Sequence, residues 1–267
     1  MRKTLVCVLA FCVLVPVQAV AELARYDVER LKQQIWQIRS EFHMLTIMEG
    51  HQDYEMALQR SVQQADREIS DVINELRGND DDVVSDLNLW WSELKQAANE
   101  MVAASGGATD GFVLRSVNER PYDLVNILAS LDAAEDGEYD DLAGVAALLQ
   151  HMTSEYLNLS SNPFGGMAAG SDTYRLDFTE AVPEFEQRLA SAMENHRDDP
   201  NIIRSLEQVE TKWRFMRESM IRFFENSVPF LIYRYTDQIV STLNQVVDLQ
   251  QPDDMPAMPT FAPVPDA

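Results

Sequence analysis

Apolar residues return at alternating steps of four and three along most of this chain. Ala24, Val28, Leu31, Ile35, Ile38, Phe42 and Leu45 form the first series, and Leu58, Val62, Ala65, Ile69, Val72 and Leu76 the second. Val83, Leu87, Trp90, Leu94, Ala97 and Met101 form the third. After Gly137 the spacing resumes in Leu142, Val145, Leu149, Met152, Tyr156 and Leu159, then in Phe178, Val182, Phe185, Leu189 and Ala192. Ile202, Leu206, Val209, Trp213, Met216, Met220 and Phe223 close the set. Such spacing gives a helix one apolar stripe suited to near-parallel packing in a bundle. No segment alternates with period two, so no strand is predicted.

The breaks fall where turn chemistry gathers. RGNDDD (77–82) ends one helix and supplies aspartates to cap the next. SGGATDG (105–111), AEDGEYDD (134–141) and the glycine-rich SSNPFGGMAAGSD (160–172) read as turns and loops. Pro200, in RDDPN, suits the first turn of a helix, and Pro121 and Pro229 suit the start or a kink of the last helix in each half. The reading is all-α: two antiparallel four-helix units, residues 22–136 and 137–250, from a duplication. VVSDL (83–87) against IIRSL (202–206), with Met101 against Met220, is the internal match at a constant offset of 119.

The first helix has a second apolar side. Met44 and Met48 in EFHMLTIMEG (41–50), with His51 directly after it, are spaced as one helix face, roughly opposite the Ile38–Phe42–Leu45 stripe. A helix apolar nearly all round is buried on both sides or touches another molecule. The same three residues are candidate copper(I) ligands, since thioether and imidazole suit that ion. His43-Met44 has a counterpart in His151-Met152, so His43, Met44, Met48, His51, His151 and Met152 are the candidate ligand or dimer-seam residues.

Composition narrows the setting. A basic MRK, an apolar run and Ala19-Val20-Ala21 read as a cleaved secretory signal over residues 1–21, which implies the periplasm. Both cysteines, Cys7 and Cys12, lie inside it, so the mature chain has no disulfide or thiolate chemistry. Without Arg2 and Lys3, 19 basic residues face 44 acidic ones, a net charge of −25. That argues against nucleic acid and against anionic membrane surfaces. QPDDMPAMPTFAPVPDA (251–267) has five prolines and no helical stripe, and reads as a disordered tail that the fold does not need.

In these stretches the chain resembles the periplasmic helical sensor domain of type IV pilus chemotaxis transducers and nitrate/nitrite sensors. The family's opening Arg-Met-Leu-Ser-Gln-like helix maps onto His43-Met44-Leu45-Thr46 and His151-Met152-Thr153-Ser154. VETKWRFM (209–216) matches its tryptophan helix and DQIVSTLNQVV (237–247) its closing helix. The resemblance implies a homodimer or a membrane-bound signalling partner, and a small anionic ligand met by the motif arginine at a dimer seam. Both matching positions hold histidine here, which departs from nitrate recognition.

No catalytic constellation is present. The chain lacks a Gly-x-Ser-x-Gly, a Gly-x-Gly-x-x-Gly and a P-loop. None of His43, His51, His151 and His196 stands three residues after a glutamate, as di-iron bundles require. DAAEDGEYDDLA (132–143) fails as a calcium loop at Ala134 and Ala143. The sequence therefore predicts a binding or sensing module, with no enzyme activity and no cofactor.

Overall fold

Aspartates open the helices. Asp80, Asp110, Asp177 and Asp199 each accept hydrogen bonds from backbone N–H groups of the first turn, the Asp110 pair at 2.9 and 3.0 Å. Each such cap satisfies donors that the helix leaves orphaned and contributes about 1 kcal/mol. Pro200 occupies the first position behind Asp199, where a missing N–H costs nothing.

The computed structural model describes residues 23–78, 80–107, 109–131, 137–161, 176–225 and 227–250. The expected signal segment, the tail and most of the 160–172 loop lie outside them. Eight helices run in order: α1 Arg25–Ile47, α2 Gln52–Leu76, α3 Asp81–Ala103, α4 Gly111–Ser130, α5 Asp140–Ser161, α6 Phe178–Asn195, α7 Pro200–Ile221 and α8 Pro229–Gln250. The described residues contain no strand, and the protein is an all-α helical bundle. Pro121 lies inside α4, while Pro229 begins α8.

Helices α1–α4 close on one another in a ring around one apolar cluster, and α5–α8 around a second. The predicted stripes supply much of both clusters, α4 and α8 completing them, with Ala24 left exposed and one substitution on α3. Trp91, rather than Trp90, fills the α3 position; Trp90 lies half-buried under the Arg120 guanidinium, 4.1 Å from its ring. The Trp91 indole N–H donates to Asp66 on α2 at 2.8 Å, and Lys95 pairs with the same carboxylate at 2.7 Å. Trp213 and Arg217 on α7 hold Glu186 on α6 in the same way, at 3.2 and 2.6 Å. These contacts pair α3 with α7 at an offset of 122, three residues from the register of the VVSDL and IIRSL match.

The two rings meet along α1 and α5, the most extensive helix pairing in the molecule. Partners rise together along both helices (Trp36 with His151, Arg39 with Ser154, His43 with Ser161), so α1 and α5 run parallel. At the end where α1 stops, the α1–α2 and α3–α4 turns interlock. Gly50 and Gly106 both have positive φ, and a Cβ on Gly106 would lie 2.6 Å from the Gly50 nitrogen and 2.7 Å from the Leu45 carbonyl oxygen. Gly78 also has positive φ, but open space surrounds it. Gly106→Ala should therefore lower unfolding free energy by about 2 kcal/mol or more, and Gly78→Ala by about 1, as read by urea denaturation.

Candidate functional site

Both α1 and α5 are buried on all sides along their middles, and each carries polar residues there. Arg39, Ser40, Glu41 and His43 on α1 face inward, as do Gln150, Thr153, Ser154 and Glu155 on α5. Arg39 is the centre. Its side chain is 1 % exposed and pairs with Glu155 at 2.8 Å. It also donates to the Ser154 hydroxyl at 3.1 Å and to the side-chain amide oxygen of Asn118 on α4 at 3.3 and 3.4 Å. Asn118 accepts again from His43 at 3.2 Å, so that ring carries its proton on Nε2, and Ser161 lies 2.9 Å from its Nδ1. The Tyr122 hydroxyl donates to Glu155 at 3.3 Å, while its ring and that of Trp36 lie near the guanidinium.

The charge at this site is balanced within the chain. Taking two ions out of water costs several kcal/mol each, and a close, fully hydrogen-bonded pair offsets much of it. The neighbouring histidines are neutral. Burial, then the Arg39 charge, pushes both His43 and His151 down to about 3. The His151 ring stacks on Trp36 at 3.9 Å and meets the edge of Tyr122, and its buried Nε2 has no hydrogen-bond partner. Burial and the Glu155 carboxylate raise the Tyr122 hydroxyl.

Glu41 is the second buried carboxyl, and it lacks a cation within bonding reach. Gln37 donates to one oxygen at 2.9 Å, and the other oxygen has no partner. Burial raises its pKa to about 7, against the partial relief of Ser61, Gln37 and Arg60. Across the seam, Thr153 bonds Thr236 on α8 at 2.6 Å.

Of the residues expected from sequence, the structure gathers four. His43 and His151 flank the Arg39 cluster, and Met44 and Met152 are fully buried in the α5–α8 apolar cluster. Met48, whose N–H still bonds the Met44 carbonyl at 2.9 Å, packs half-buried against the same cluster, but His51 leaves that face, because Glu49 and Gly50 turn the chain through positive φ. His51 is exposed and caps α2, accepting from the Asp53 N–H at 3.4 Å. The face expected to need a second subunit or a ligand is covered by α5 of the same chain. Met44 and His51 thus sit in different surroundings, which removes the geometric basis for the copper triad. Among the described residues no group of three His, Cys, Asp or Glu side chains could hold a metal, and no helix is long and apolar enough to cross a membrane.

The sequence reading missed Arg39, Glu155, Asn118 and Tyr122. One signal was available. Ser40-Glu41-Phe42 and Ser154-Glu155-Tyr156 repeat a Ser-Glu-aromatic triplet 114 positions apart, with Leu45 and Leu159 following in step. That register pairs the stripes of α1 and α5, whereas the His-Met pairs, 108 apart, do not. Fold and site together define a double four-helix bundle with a buried polar seam. No family model, curated protein or solved structure matches this chain.

Two outcomes test the seam. Arg39→Met alone should cost about 3–5 kcal/mol, because it strands Glu155, while Arg39→Met with Glu155→Leu should recover most of the loss in a double-mutant cycle. The pH dependence has two arms. The two histidines must gain protons to unfold below their ordinary value of 6.5, so their contribution is lost as pH falls from there toward 3. Glu41 holds its proton more tightly folded than unfolded, so its contribution is lost as pH rises from 4.5 to about 7. Glu41→Gln should leave the melting temperature unchanged at pH 4 and raise it at pH 8, by a free energy on the order of a few kcal/mol.

Proposed function

We propose that this chain is a non-catalytic sensing and interaction module of the periplasm, of the kind carried by type IV pilus chemotaxis transducers and nitrate/nitrite sensors, working with a membrane-bound signalling partner. The observation that supports this reading is the parallel α1–α5 seam, in which a buried ion pair lies between two apolar cores that meet along α1, whose Tyr26 and Met44 belong to the second. A buried pair adds little net stability, yet it penalises every register in which the charges separate. Sliding or rotating α1 against α5 breaks the Arg39–Glu155 contact, so the seam favours discrete positions over continuous drift. That is the property a signalling element needs.

In this reading α5 supplies to α1 what a second subunit supplies at a dimer seam, and the repeated Trp–carboxylate–cation contacts of the two rings are the remains of a duplication. Arg39 lies one helical turn before the position where the resemblance seeks an arginine. Glu155 already neutralises it, so a small anion has to compete with that carboxylate.

The test is ligand-dependent protection. The chain from Glu22 is screened by thermal denaturation against nitrate, nitrite and other small anions, where a ligand at a hundred times its Kd adds about 2.7 kcal/mol. A ligand that stabilises the protein should also slow amide exchange in α1 and α5 together. A protein indifferent to every ligand, with unchanged exchange in the seam, is instead a purely structural adaptor.

A further inference from the structure

Among the described residues two carboxyls are buried, Glu41 and Glu155, and only Glu155 has a cation in contact. Glu41 lies where α2 and α8 approach each other over α1. From α1, Gln37 holds one of its oxygens at 2.9 Å, and the other oxygen has no partner. From α2 it is faced by Ser61 and, beyond bonding reach, by the Arg60 guanidinium. From α8 it is faced by the Tyr233 ring and the Asp237 carboxylate. The Tyr54 ring of α2 meets Tyr233 edge-on at 5.8 Å. Beside Gln37, the side chains of Gln150, Tyr233, Thr236 and Asp237 enclose a cavity of about 20 Å³, room for about one water molecule.

A neutral carboxyl fits this place and an ionised one does not. Once charged, Glu41 is sealed from water with an oxygen that nothing contacts. The forces that result act on different helices. Arg60 is attracted, which pulls on α2. Asp237 is repelled, which pushes on α8. Water is drawn toward the charge through the cavity beside Gln37. An edge-on pair of tyrosines is a weak contact to set against these forces. The displacement is also tied to the seam, because Thr236 bonds Thr153 of α5 at 2.6 Å and Gln150 of α5 donates to Ser40 of α1 at 2.9 Å.

We propose that Glu41 is a proton-operated latch between α2 and α8. With its proton in place, the carboxyl lies beneath the closed Tyr54–Tyr233 contact. When the proton leaves to solvent, the carboxylate draws Arg60 inward and pushes Asp237 away, and the start of α8 parts from α2. Burial, with Asp237 adding to it and Ser61, Gln37 and Arg60 opposing it, sets the change at about pH 7. His43 and His151 stay neutral through that range, since burial and the Arg39 charge hold both down to about 3. The Arg39–Glu155 pair keeps its register while the neighbouring wall answers to the acidity of the surroundings.

The latch is independent of the sensing reading, and its test uses the proton as the only ligand. The chain 22–267 contains no cysteine, so two can be introduced and spin-labelled without background. Met56→Cys on α2 and Leu231→Cys on α8 are exposed sites, each two residues from a tyrosine of the contact. The distance between the labels, read by electron spin resonance, should lengthen by about 2 Å or more between pH 6 and pH 8, the scale of helix shifts in switching proteins. The midpoint should lie near 7, and circular dichroism should stay unchanged. Glu41→Gln should hold the short distance at both pH values. Arg60→Gln should move the midpoint to higher pH, because it removes the cation that favours the ionised form. The His51 ring lies against Tyr54 at 6.2 Å, so His51→Asn, which keeps a capping side chain, should leave the response in place. A distance that ignores pH overturns the proposal, as does a response that survives in Glu41→Gln or disappears in His51→Asn. A midpoint unmoved by Arg60→Gln overturns it too, and so does a longer distance accompanied by loss of helix, which is unfolding.

Discussion

The Arg39–Glu155 pair is the constraint on which the rest of the architecture depends. It lies where two apolar cores share a wall, and it is satisfied only when α1, α4 and α5 stand in one register. A purely apolar α1–α5 contact would tolerate sliding by a turn, since Leu, Ile, Val and Met offer similar surfaces at every step of the stripe. An ion pair sealed from water does not, because each misregister leaves a charge buried and unpaired. The hydrogen bonds to Asn118, Ser154 and Tyr122 extend the same demand to neighbouring helices, so position is specified as a set.

The two central helices carry corresponding glutamates with different fates. Glu155 meets Arg39 across the seam. At Glu41, the residue that corresponds to Arg39 in the other helix is Thr153, which turns to Thr236 instead. One carboxyl is therefore paired with a guanidinium and the other is left to burial, which favours its protonated form. The histidines follow the same logic in reverse: beside a buried cation and away from water, they stay neutral. The seam thus holds groups whose titrations oppose each other in their effect on stability, all within one shared wall.

Outside the seam the acidity of the chain has local uses. Aspartates at helix starts accept otherwise orphaned N–H groups, and carboxylates on α2 and α6 hold the tryptophans of α3 and α7 in place. On the α7–α8 hairpin the arginines are drawn into such pairs as well, Arg214 with Glu210, Arg217 with Glu186 and Arg222 with Glu218, while Phe215, Phe224 and Phe230 stay uncovered.

By itself the sequence determined the helices, their turns and the inward face of most of them, because a 3.6-residue period, aspartate caps and glycine turns act over a few residues. Val28 to Leu45, Leu142 to Leu159 and Ile202 to Phe223 are buried as their spacing requires. It also showed that α1 is apolar on two sides. It did not show what lies against the second side, and the expected partner helix proved to be α5 of the same chain. Nor did it distinguish Trp91 from Trp90, adjacent residues whose burial depends on where Asp66 of α2 stands. Arg39 and Glu155 read as ordinary helix-surface charges among many, since nothing local marks a charge for burial. Only the tertiary structure, by laying α1 parallel to α5, brings residues 116 apart in sequence to 2.8 Å and makes them the pair that fixes both halves. Local forces choose the helices; the cost of burying charge chooses their register.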